Sequence, residues 1–104
     1  MEKLRIKLNK DEASTLMFIF YKMYYLYKIE VLEDITNRYL LNEILCRLSN
    51  IQFKGGRLSI TPAEAVSLFK LLSIINFDDY QDIYIVNILN NFYSKLHKYL
   101  GDLL

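Results

Sequence analysis

Leu4, Ile6 and Leu8 alternate with Lys3, Arg5 and Lys7, the period of two that belongs to a strand with one buried face. Asn9 follows, with Glu12 three residues beyond it. That spacing is a capping box: the Asn side chain accepts from a free amide of the first helical turn, and the Glu reaches back to the Asn amide. A helix is therefore expected from Lys10 to about Lys28, carrying Ala13, Leu16, Met17, Phe20, Met23, Tyr24 and Tyr27 on one stripe at helical spacing. A second stripe, Phe18, Tyr21 and Tyr25, lies off that face, and Lys22 is the only charge between Leu16 and Tyr27. Burial against one side cannot hide both stripes, so the second is expected to meet another surface.

A second helix is predicted over about Leu32 to Ser49. Its wet side is Glu33, Thr36, Leu40, Glu43 and Arg47, and its core side is Ile35, Leu41, Ile44, Leu45 and Leu48. Two alternating runs then flank Gly55 and Gly56, with Ile51 and Phe53 before them and Leu58 and Ile60 after. Glycine freely takes the positive φ that two-residue hairpin turns need, so a hairpin with an extra strand at residues 50–54 is expected. Thr61 then caps, Pro62 takes the first helical position where its missing N–H costs nothing, and Glu64 completes a second box. The third helix should cover Pro62 to about Ile75. Asp78 or Asp79 caps a fourth, running to about Leu100, with Asp82 near its positive end and Gly101 placed to stop it.

Residues 5–17 are echoed by residues 57–69. Arg5, Glu12, Ala13 and Leu16 match Arg57, Glu64, Ala65 and Leu68, while Ile6 with Leu58, Leu8 with Ile60 and Asn9 with Thr61 keep their chemistry. Residues 1–104 therefore read as a single domain of two strand-helix-helix halves, 1–50 and 51–104. The expected fold is α+β and mostly helical, with four helices packed on one face of a two- or three-stranded antiparallel sheet and a pseudo-twofold relation between the halves. Part of the internal repeat is the shared grammar of strand, cap and helix, which unrelated segments also adopt.

Composition narrows the class. A hydrophobic fraction of 53%, with nine Tyr and six Phe in 104 residues, supplies a core and excludes general disorder. A net charge of +1 does not suit a protein that coats nucleic acid by global charge, so any such binding needs a local patch. Cys46 is the only cysteine. No intramolecular disulfide can form, and the residue reads as a small apolar group on a helix. Charges interrupt the apolar residues at the N-terminus, unlike a signal peptide, and the longest apolar stretch falls short of the roughly 20 residues that span a bilayer. A cytoplasmic protein with no membrane association is expected.

Nothing in the inventory forms a catalytic centre. The single His97 lies near a helix C-terminus, where a cation meets the helix dipole favourably. One His and one Cys cannot build a structural zinc site. Asp78, Asp79 and Asp82 lack the ligand spacing of a calcium loop, and Gly55-Gly56 lacks that of a phosphate loop. Glu12 and Glu64 are explained as caps. No enzyme activity, metal or cofactor is expected.

Two surfaces remain. If the apolar strand residues face the helices, Lys3, Arg5, Lys7, Lys54 and Arg57 share the opposite side of the sheet with no acid among them, a local patch suited to phosphate or to an acidic partner. No aromatic accompanies them to stack on a base. The other surface is the row Phe18, Tyr21 and Tyr25, residue types that anchor protein interfaces. The expected function is a small non-enzymatic protein-interaction module acting as a homodimer. The alternative is an accessory nucleic-acid-binding protein that uses the basic sheet face on phosphates.

Overall fold

The computed structural model describes residues 2–26, 32–73 and 82–103. In chain order they form β1 (Leu4–Leu8), α1 (Lys10–Leu26), α2 (Leu32–Ile51), β2 (Gly56–Ile60), α3 (Pro62–Ser73) and α4 (Ile83–Leu103). Among the described residues the chain is thus mostly helical, with four helices and one two-stranded antiparallel sheet, an α+β architecture.

Both strand-to-helix junctions are fixed by reciprocal caps. Asn9 N–H donates to Glu12 Oε1 at 3.0 Å while Glu12 N–H donates to Asn9 Oδ1 at 2.8 Å. At the second junction Thr61 N–H donates to Glu64 Oε1 at 2.9 Å, and Glu64 N–H to Thr61 Oγ1 at 3.2 Å. Each box satisfies orphan amides at a helix start and turns the chain out of its strand at a set point.

The hairpin expected at Gly55-Gly56 does not form, and there is no strand at residues 50–54. Helical spacing persists through Ile44, Leu48 and Ile51, so α2 runs on to Ile51, and residues 52–54 make a turn. Gly55 ends it at φ 79°, donating its N–H to the Ile51 carbonyl at 2.7 Å. This is a left-handed helix stop, a use of positive φ as natural to glycine as the hairpin turn. Gln52 and Lys54 therefore leave the sheet, and Phe53 is 80% exposed. β2 pairs with β1 instead, setting Leu4 opposite Ile60, Ile6 opposite Leu58 and Leu8 opposite Gly56.

The inner face of this sheet, Ile6, Leu8, Leu58 and Ile60, is buried. Above it α1 packs on α2, α2 on α3, α3 on α4 and α4 on α1. Leu16, Phe20, Ile44, Leu48, Leu68, Leu72, Leu89 and Leu96 fill the centre. Phe20 meets Phe92 edge-on at 5.5 Å between ring centres, and Ser67 Oγ donates to Asn37 Oδ1 at 2.7 Å inside the core. Ile35, expected in the core, is half exposed, whereas Ile19 is fully buried.

Asp82 caps α4, its Oδ1 accepting from Tyr84 N–H at 2.9 Å; Asp78 and Asp79 lie outside the described residues. Gly101 does not stop this helix, which continues to Leu103. A methyl group at Gly101 would meet nothing within 4 Å, whereas one at Gly55 would come within 2.9 Å of the Leu8 carbonyl. Gly55→Ala should lose roughly 1–3 kcal/mol to strain at a left-handed position, and Gly101→Ala should gain about 0.5–1 kcal/mol of helix propensity. Urea unfolding of the two variants distinguishes the roles; equal small effects would refute them.

Candidate functional site

The two edges of the sheet are treated differently by the helices beside them. On the β2 side, Arg47 of α2 donates from Nη1 to Glu64 Oε1 at 2.6 Å and to the Ser59 carbonyl at 3.0 Å. One guanidinium thus joins α2, β2 and the cap of α3. Glu64 is 2% exposed. Burial works to raise its pKa, but hydrogen bonds from Arg47 and Thr61 and the Arg47 charge outweigh it, and the carboxyl is held below its ordinary value of 4.5. The bond to Glu64 raises the Arg47 pKa in turn, against a smaller opposing effect of burial.

The direction of the Ser59 carbonyl sets the polarity of the whole ladder. In an antiparallel pair, residues alternate between those that bond across to the partner and those whose N–H and C=O point away. Because Ser59 points away from β1 to reach Arg47, its opposite number Arg5 points away from β2, and so does Lys7 opposite Arg57. The free edge of β1 therefore presents the backbone groups of Arg5 and Lys7.

That edge overlooks a groove of about 370 Å³ between residues 4–7 of β1 and Lys95, Lys98, Tyr99 and Asp102 of α4. Tyr99 Oη donates to the Glu2 carbonyl at 2.6 Å and closes one end. Of the expected basic set, Lys3, Arg5, Lys7 and Arg57 are exposed in or beside the strands, while Lys54 sits in the turn after α2. The groove brings Arg5 and Lys7 together with Lys95 and Lys98, which sequence reading missed. Their spacing along α4 marks a single helix face, but no local signal says that this face borders β1. Among the described residues none of these four cations forms a salt bridge.

The apolar row stands elsewhere. Phe18 and Tyr21 are 65% and 51% exposed on α1; Tyr25 falls outside the residues whose side chains are described. Ser14 Oγ donates to the Gln52 carbonyl at 2.9 Å, and the Arg38 guanidinium lies 4.4 Å from the centre of the Tyr24 ring. The start of α1 therefore lies at the end of α2, and the helices run antiparallel. On α2, exposed Ile35, Tyr39 and Cys46 recur at helical spacing on the side opposite the core, so both helices show apolar groups outward.

No protein-family model matches the chain, nor does any curated protein or solved structure. Among the described residues no helix is long and apolar enough to cross a membrane.

Arg47→Ala strands a buried carboxylate and should cost about 2–3 kcal/mol. Because the folded pKa of Glu64 is lowered, its contribution is complete above about pH 4.5 and is lost as pH falls through the folded value. Glu64→Gln should therefore lower stability at neutral pH and flatten the acid limb of a denaturation profile taken from pH 7 downward. An acid limb as steep as that of the parent would contradict the assignment.

Proposed function

We propose that the chain is a small protein-interaction module without enzymatic activity, acting as a homodimer through the outer face of α1 and α2. The supporting observation is a difference between the halves. When each residue is set against the one 52 positions later, as Ile6 against Leu58, several core positions agree, among them Leu16 with Leu68, Ile19 with Leu71 and Ile44 with Leu96, while Leu45 and Ile88 have exposed His97 and Thr36 as counterparts. The outward positions disagree. Phe18, Tyr21, Ile35 and Tyr39 have Lys70, Ser73, Asn87 and Asn91 as counterparts. At these four positions one half folds with polar groups where the other exposes apolar ones, so these four are not a requirement of the fold; the reverse holds at Ser14 and exposed Val66. A patch of this kind on a small domain is the mark of an interface, and a twofold contact between copies is the commonest way to cover it.

A pseudo-twofold relation between the halves accompanies this reading. It is supported by the strand register, in which Ile6 lies opposite its own counterpart Leu58, and by the starts of α1 and α3 at the counterparts Lys10 and Pro62. The nucleic-acid alternative is the weaker one, because Lys54 has left the sheet.

Light scattering should give a mass twice that of the chain. Replacing Phe18 and Tyr39 together with Glu should give a monomer with unchanged helix content by circular dichroism. A parent protein that remains monomeric at high concentration would contradict the dimer.

A further inference from the structure

We infer that the groove between β1 and α4 is a second, separate interaction site, which receives an extended acidic peptide segment as an added strand on the free edge of β1. Three features meet there. The first is backbone direction: the N–H and C=O groups of Arg5 and Lys7 point out of the sheet toward the groove, because the Ser59 carbonyl points the opposite way to Arg47. An unpaired strand edge of this kind is a template for another strand.

The second feature is the lack of a latch. The counterpart of Arg47, 52 positions later, is Tyr99, and the counterpart of Ser59 is Lys7. Arg47 reaches its strand edge in mid-strand, whereas Tyr99 bonds to Glu2, beyond the end of β1. The two helices therefore differ at the same place in each half: α2 closes its edge and α4 stands off from its own, leaving the groove.

The third feature is charge. Lys7 lies directly opposite Arg57 in a pair of the type that brings side chains closest, where like charges repel. Arg5 adds a further cation along the strand, and Lys95 and Lys98 line the opposite wall against a single acid, Asp102. Carboxylates on alternate residues of an added strand would lie over the Arg5, Lys7 and Arg57 side of the sheet and relieve that repulsion. The groove also has half-buried Leu4 in its lining, which accommodates an apolar residue in between. A phosphate backbone would use the cations and the edge N–H donors but leave the C=O acceptors of Arg5 and Lys7 unpaired, whereas an added strand satisfies both, so the observations favour peptide over nucleic acid.

The probe is a fluorescein-labelled peptide of alternating Glu and Val, followed by fluorescence anisotropy. Three competitors are compared: the unlabelled peptide, the same peptide with alternate amides N-methylated, and a single-stranded oligonucleotide of equal charge. The unmodified peptide should bind, and N-methylation, which deletes strand donors at constant charge, should weaken competition by about tenfold or more. Lys95→Glu with Lys98→Glu, on an exposed helix face, should weaken binding of the labelled peptide by a similar factor. Lys7→Pro should abolish it, because proline is tolerated at an edge position but donates nothing. Equal competition by the N-methylated peptide, tighter binding of the oligonucleotide, or no binding of the peptide would each overturn the proposal. Since α1 and α2 do not line the groove, the result is independent of the oligomeric state.

Discussion

A carboxylate as deeply buried as Glu64 is stable only if its oxygens are occupied, and the way they are occupied organises much of the molecule. Its Oε1 accepts from the Thr61 amide, which starts α3, and from Arg47, which belongs to α2. The same guanidinium nitrogen holds the Ser59 carbonyl. Desolvation of a charge is costly, and it is offset here by charge-assisted hydrogen bonds of good geometry. The consequence is directional: Arg47 can reach Glu64 and Ser59 together only if β2 turns its outer carbonyls toward α2. The antiparallel ladder then passes that choice to β1, whose own outer groups must face the other way.

The two strand-to-helix junctions share a motif but not an environment. Both consist of a strand, a capping box and a helix, and Glu12 caps α1 as Glu64 caps α3. Glu64 is buried and tied to an arginine, whereas Glu12 is partly exposed. Arg47 closes the β2 edge of the sheet, and the β1 edge has no such contact from α4 among the described residues.

Local features were the most legible. Alternation predicted β1, and the Asn9-Glu12 and Thr61-Glu64 spacings predicted two helix starts, because each depends on residues within one turn of chain. The extra strand failed for an equally local reason: positive φ at Gly55 suits a helix stop as well as a hairpin turn, and only the helical spacing of Ile44, Leu48 and Ile51 decides between them. Gly101 failed likewise, since an exposed glycine lowers helix propensity by less than the packing of its neighbours supplies. Phe18 and Tyr21 were legible as surplus apolar surface. Arg47 was not legible as a latch, having the spacing of a solvated face, and Lys95 and Lys98 joined the basic set only through the tertiary approach of α4 to β1.

Amide hydrogen exchange by NMR tests the alternation that links the latched edge to the open one. If Arg47 fixes the ladder as described, the amides of Ile6 and Leu58 exchange slowly, because they bond between the strands, and those of Arg5 and Lys7 exchange near the rate of an unprotected chain. Protection of Arg5 and Lys7 equal to that of Ile6 would mean that the β1 edge is closed or the ladder inverted. Either finding would contradict the asymmetry of the sheet on which the open edge depends.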